Sequence, residues 1–191
     1  MSRKVKKGLY WKKRVFNCDF LTKIYIFRYF RLNTFVKKIK MNFEDLQTQV
    51  LAIVNKTNVT RDEKLKEICQ LLSDSVSYYD WVGYYFANHE TKTLHLGPYV
   101  GAETDHTVIP FGKGICGQVA MSNQNFVVPD VKAQDNYIAC SFTVKSEIVV
   151  PLFVNGVNIG QIDIDSHVLD PFTEADERFL EFVNQEVAKL F

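Results

Sequence analysis

The sequence predicts an α+β domain: a largely antiparallel sheet with N-terminal and C-terminal helices packed on one face. Three observations predict it. Apolar side chains recur at helical spacing across residues 42–58 and 60–76 and again after Thr173, so helices bracket the chain. Between them the period drops to two, as expected of half-buried strands. Finally, residues 147–154 and 157–165 flank Asn155-Gly156, a two-residue loop whose types tolerate positive φ and suit a type I′ hairpin turn. Hairpins pair strands antiparallel, and helices gathered at the two ends favour α+β over a parallel α/β sheet.

The elements follow in order. Phe43, Leu46, Val50, Leu51 and Val54 form the apolar stripe of a first helix. Thr60-Arg61-Asp62-Glu63 is a capping box opening a second, with Leu65, Ile68, Leu71, Leu72 and Val76 facing inward. Cys69, beside Ile68, is expected to be a core thiol. Residues 80–86 form a strand with Trp81, Gly83 and Tyr85 on one face and Val82, Tyr84 and Phe86 on the other. Residues 92–96 are its hairpin partner; Gly97-Pro98 and Gly101 then break the pattern and introduce a loop to Thr107-Val108-Ile109-Pro110. The glycines of Phe111-Gly112-Lys113-Gly114-Ile115-Cys116-Gly117 turn into a short helix and lack the GxxxxGK[ST] spacing of a phosphate loop. A short strand at 125–128 and a polar loop at 129–137 lead to Ile138-Ala139-Cys140. After the central hairpin, Thr173-Glu174-Ala175-Asp176 caps a last helix with Phe179, Phe182, Val183, Val187 and Leu190 inside.

The central hairpin also gives the first sign of chemistry. Its second strand ends Asp163-Ile164-Asp165, and alternation sets both carboxylates on one face while Ile162 and Ile164 take the other. Such a pair costs energy unless that face lines a cation site, meets water or keeps a proton. Glu147 opens the partner strand near the same end, and Cys140 lies seven residues upstream of it.

Charge divides the chain. Residues 1–40 hold 13 of the 23 Lys/Arg and one acid, Asp19, a net of +12, whereas 41–191 carry a net of −11. The break at Met41 predicts a domain over 41–191 and a basic extension over 1–40, disordered or upstream of the true translation start. Its aromatics, such as Tyr10, Trp11 and Phe16, would also suit an interfacial membrane arm or a nucleic-acid arm. Lys23 and Arg28 interrupt any signal-peptide core. The acidic domain gives no reason to expect nucleic acid, and no apolar run approaches the ~18–20 residues of a membrane span. Four cysteines without a CxxC or a ligand-spaced His pair suggest neither a disulfide framework nor a metal site. No metal or cofactor is expected, and reducing cytoplasm is the expected compartment.

Several strings together carry a resemblance: Asp80-Trp81-Val82-Gly83-Tyr84-Tyr85, Leu96-Gly97-Pro98-Tyr99, Ile109-Pro110-Phe111-Gly112-Lys113-Gly114-Ile115-Cys116-Gly117, Tyr137-Ile138-Ala139-Cys140, Ser146-Glu147-Ile148-Val149-Val150-Pro151-Leu152 and Ile162-Asp163-Ile164-Asp165-Ser166. The chain resembles the free methionine-(R)-sulfoxide reductases, single GAF-domain enzymes that reduce free methionine sulfoxide. The likeness covers about residues 42–191, and the combination of GxCG with IAC is its most specific part. It implies a GAF-like fold, Cys140 as nucleophile on the sulfoxide sulfur, and Cys116 as its disulfide partner. It further implies Glu147, Asp163 and Asp165 as substrate-binding acids, Trp81 and Tyr85 as pocket wall, and a thioredoxin-like reductant as partner. Well-studied members carry a third cysteine shortly before the Ile-Pro; here residues 101–108 contain none, and His106 stands nearest that place, as an exposed loop residue or as a polar replacement.

The chemistry so implied is coherent. Carboxylates on a rigid hairpin would bind the substrate ammonium, and crowding them raises a pKa so that a proton is held for the sulfoxide oxygen. If Cys116 sits at the start of its short helix, the helix end favours its thiolate. Two rivals belong to other classes: a GAF-type small-molecule sensor, which would be expected to add a signalling helix and an output domain, and a substrate-free thiol redox sensor. A homodimer through the helical face is compatible with the sequence.

Overall fold

The computed structural model describes residues 42–135 and 143–191. The extension at 1–40 and Cys140, with the Ile138-Ala139 before it, lie outside the described residues. Helices α1 (Phe43–Val54) and α2 (Arg61–Ser75) come first. The predicted box closes α2: Thr60 Oγ1 accepts from the Glu63 N–H at 3.3 Å, while Glu63 Oε2 accepts from the Thr60 N–H at 2.9 Å. Strands β1 (Trp81–Asn88), β2 (Thr93–Val100) and β3 (Val108–Pro110) precede helix α3 (Gly114–Ser122). Then follow β4 (Phe126–Val128), β5 (Ser146–Val154), β6 (Val157–Ser166) and helix α4 (Glu174–Val187), which opens on the second predicted box, Thr173 with Asp176.

The six strands form one antiparallel sheet in the order β3-β2-β1-β6-β5-β4. Asn155 and Gly156 join β5 to β6 with φ of 51° and 79°, as a type I′ turn requires. A Cβ on Gly156 would meet nothing within 4 Å, so backbone conformation rather than space calls for glycine there.

Alternation sorts the side chains onto two faces. Val82, Tyr84, Ile148, Val150, Ile162 and Ile164 bury against the inward stripes of α1, α2 and α4, including Leu46, Leu65, Leu72, Phe179 and Val183. Cys69 lies in this core, fully buried, as the helical pattern predicts. The other face packs Trp81, Tyr85 and Val149 against α3 through Ile115, Cys116 and Val119. The glycine turn seats that helix closely: a Cβ at Gly117 would approach Pro110 O to 2.5 Å, and the Gly112 N–H donates to Gly117 O at 2.7 Å. Among the described residues no helix is long and apolar enough to cross a membrane.

The structure corrects one expectation. Gly97-Pro98 do not break the second strand, because β2 runs on through both to Val100. Its neighbour β3 pairs only with Thr93, Leu94 and His95, so Pro98 stands where the outer edge is open and a missing N–H costs no ladder bond. The register shift between Gly83 and Tyr85 absorbs the irregularity, and Gly97 lets Phe86 approach.

Gly83 has a different use. The Trp81 indole lies over it, and an added Cβ would meet the outer edge of that ring and Tyr99 Cβ at 2.8 Å. Gly83→Ala is therefore expected to displace Trp81 and destabilise the domain by about 1–3 kcal/mol. Thermal melting and Trp fluorescence of the variant check this; an unchanged Tm would show that the indole moves aside without cost.

Candidate active site

The register of the central strands assembles the acids. Asp165 pairs with Glu147 on one side and with Trp81 on the other; Asp163 pairs with Val149 and Gly83. Residues paired in register share a face, so three carboxylates and the Trp81 and Tyr85 rings meet on the face that α3 covers. They are not solvated: Glu147, Asp163 and Asp165 are 3%, 2% and 3% exposed. Asp163 Oδ1 and Asp165 Oδ1 have no hydrogen-bond partner among the described residues.

Burial fixes the protonation order. Desolvation, reinforced by the charges of Asp163 and Asp165, pushes Glu147 well above the usual carboxylate range. Asp165 rises for the same reason, with Asp163 and Asp80 adding repulsion. Desolvation lifts Asp163 to about 7, held there by hydrogen bonds from Cys116 and Glu147 that favour its charged form. Glu147 therefore keeps its proton and donates toward Asp163, the first of the pair to ionise.

Cys116 stands in the first turn of α3, as expected, and is 4% exposed. Its Sγ lies 3.9 Å from Glu147 Oε1, and donor atoms of Cys116, Glu147 and Asp163 fall within 4.8 Å of one another. The helix end is thus not the only field at this sulfur, since two carboxylates adjoin it. His106 is not the exposed loop residue that one expectation held. It is half-buried and lines a cavity of about 20 Å³ with Cys116, Glu147 and Asp163.

A larger cavity of about 90 Å³ lies on the other side of Asp163, walled by Trp81, Tyr85, Val144 and Asp165. Its aromatic wall is pinned: Trp81 Nε1 donates to Ala102 O at 3.1 Å, and Tyr85 Oη donates to His106 O at 3.0 Å. The indole also stacks on Tyr99 at 5.3 Å. These contacts tie the loop at 101–107 to β1 and close the top of the cavity.

Of the predicted site residues, the structure brings together Cys116, Glu147, Asp163, Asp165, Trp81 and Tyr85; Cys140 lies outside the described residues. Sequence reasoning missed Asp80, Thr143 and His167 at the cavity rim. The His167 N–H donates to Asp80 Oδ2 at 2.7 Å, its Nδ1 lies 3.4 Å from Asp80 Oδ1, and Nε2 is 3.0 Å from Thr143 Oγ1. A signal existed: pairing Trp81 with Asp165 sets the residues just beyond both strand ends side by side.

Comparison with known proteins adds four findings. A GAF domain family model matches residues 58–190. The chain is 38% identical over 144 residues to the free methionine-R-sulfoxide reductase of Escherichia coli, covering 75% of this chain and 77% of that protein. It also resembles the X-ray structure of free methionine-R-sulfoxide reductase from Neisseria meningitidis in complex with its substrate. There the TM-score is 0.73 at 34% identity, over 78% of this chain and 87% of that one. The reduced form of the Staphylococcus aureus fRMsr gives a TM-score of 0.72 at 33% identity, over 78% and 94% of the two chains.

Proposed function

The chain belongs to the GAF-domain family and, within it, to the free methionine-R-sulfoxide reductases, and from that premise we propose that it reduces free L-methionine-(R)-sulfoxide to methionine in the acid-lined cavity. The observation that most supports this reading is the buried trio Glu147, Asp163 and Asp165 beside the Trp81–Tyr85 wall. A charged ammonium and a polar sulfoxide, with a methyl group beside it, call for that combination of acid and aromatic surface.

In this reading Asp163 and Asp165 bind the ammonium by charge-assisted hydrogen bonds, and Trp81 and Tyr85 hold the methyl. Glu147 protonates the sulfoxide oxygen, which makes the substrate sulfur electrophilic. The Cys140 sulfur attacks; the oxygen passes to it as a sulfenic acid, and the substrate leaves as methionine, reduced by two electrons. The Cys116 thiol then condenses with the sulfenic acid, releasing water and forming a disulfide. A thioredoxin-like dithiol reduces that disulfide, which suits a reducing compartment such as the cytoplasm. The Cys116 position, 3.9 Å from Glu147, supports a resolving role at the same site.

The test is thioredoxin-dependent consumption of free L-methionine-(R)-sulfoxide, beside the (S) epimer and a peptide-bound sulfoxide. Turnover confined to the free (R) form supports the proposal. Binding of the substrate without turnover would leave a sensor.

The catalytic unit is proposed to be 41–191, with 1–40 dispensable. A chain beginning at Met41 is expected to keep the Tm and kcat/KM of the full chain. A large loss of either would make the extension part of the working enzyme.

A further inference from the structure

We propose that the reduced protein binds one zinc-class divalent cation through Cys116 Sγ and the carboxylates of Glu147 and Asp163. The three donors come from α3, β5 and β6, too far apart in sequence to show metal-ligand spacing, and the fold gathers their ligand atoms within 4.8 Å. A tetrahedral zinc ion holds sulfur and oxygen ligands about 3.6 Å apart. Cys116 Sγ and Glu147 Oε1 stand at 3.9 Å, close to that separation.

A second observation points to a ligand here. Asp163 is almost wholly buried, yet its Oδ1 has no hydrogen-bond partner among the described residues. A buried carboxylate oxygen left unpaired is costly, and a cation is the strongest partner it can take. The small cavity in front of the trio supplies access; His106 lines it, and Lys113, the cation at its rim, is exposed.

The donor set selects the ion. A thiolate with two carboxylates suits borderline or soft ions such as Zn²⁺ and Cd²⁺, whereas Mg²⁺ and Ca²⁺ demand six or more oxygens (about 6–8 for calcium). As the metal binds, the Cys116 thiol proton and the proton that burial holds on Glu147 both pass to solvent, leaving thiolate and carboxylate as ligands. Metal seated there holds Cys116 away from disulfide formation and occupies Glu147 and Asp163, so zinc should inhibit turnover. That consequence rests on the reductase reading; the binding itself does not.

The experiment titrates the reduced, metal-stripped full chain with Zn²⁺, Cd²⁺ and Mg²⁺ separately, by calorimetry and by the ultraviolet cadmium–thiolate charge-transfer band. One equivalent of Zn²⁺ or Cd²⁺ and no Mg²⁺ is expected. Cys116→Ser should abolish the band, and Asp163→Asn and Glu147→Gln should each weaken binding by more than about 10-fold. Cys69→Ala and Cys140→Ser should keep the band. Circular dichroism verifies that each variant is folded, and the two isosteric carboxylate variants carry the test if Cys116→Ser does not fold. Absence of the band in the wild type overturns the proposal. So does a band that survives Cys116→Ser but vanishes in Cys140→Ser, or unweakened binding in both carboxylate variants. A protein that binds Cd²⁺ at Cys116 yet reduces no sulfoxide would uphold this site while removing the enzymatic reading.

Discussion

Cys140→Ser is expected to release no methionine even in a single turnover, whereas Cys116→Ser releases about one methionine per active site and then stalls. In the proposed mechanism the two substitutions fail at different steps. Without the Cys140 sulfur no atom accepts the substrate oxygen, so the oxygen transfer never begins. Without Cys116 the transfer proceeds, but the sulfenic acid has no thiol with which to condense. Thioredoxin attacks a disulfide, so the stalled form should resist it and yield to small thiols instead. Rapid-quench measurement of methionine, with a sulfenic-acid trap, reads both outcomes. Among the described residues the acids that would assist chemistry adjoin Cys116, with Glu147 Oε1 at 3.9 Å, so each substitution also tests whether that pocket is where oxygen transfer takes place. Normal thioredoxin-driven cycling in Cys116→Ser would require another resolver; a burst that survives Cys140→Ser but not Cys116→Ser would reverse the two roles. Unimpaired turnover in both would remove the thiol mechanism.

The parts of this molecule that local chemistry decides were legible in the sequence. Asn155-Gly156, the two capping boxes and the alternation of residues 81–86 depend on neighbours in the chain, and each appears in the structure where the pattern sets it. Alternation also put Asp163 and Asp165 on one face. What it could not decide is whether that face meets water. Burial comes from α3 and the loop at 101–107, whose placement depends on contacts distant in sequence: Trp81 with Ala102, Tyr85 with His106, Gly112 with Gly117. The same distinction explains the misread strand. Gly97-Pro98 break strands on average, and only the short reach of β3 makes that edge tolerant here. The strand β3 itself spans three residues, too few for a period to register. Asp80 and His167 escaped notice because each stands just outside a strand, where pattern ends and register alone brings them together.

Asp163→Asn should make the protein more stable and much less active. In the folded state Asp163 titrates near 7, because burial disfavours its charge; in the unfolded chain it returns to about 3.9. Between those values the unfolded chain gives up its proton while the folded protein keeps it. The folded state then binds more protons, so stability is fully present below about pH 4, declines as pH rises toward 7, and levels off above it. Asparagine has no charge to desolvate, so the variant should escape this decline. Its amide still needs partners that the site supplies only in part, so the net gain at pH 7.5 should be about 1–3 kcal/mol, or roughly 2–10 °C in Tm. Differential scanning calorimetry of both proteins from pH 4 to 8 should show the gap opening with pH. Activity should move the other way. Truncating one partner of a buried charge pair costs about 2–5 kcal/mol, so kcat/KM should fall about 100-fold or more, mainly through KM. In the wild type KM should fall as pH rises through about 7 and Asp163 ionises, and in the variant that segment of the profile should be flat. A loss carried by kcat at constant KM would instead make Asp163 the proton donor and Glu147 its support. An unchanged Tm together with unchanged kinetics would mean that its carboxylate bears on neither stability nor substrate.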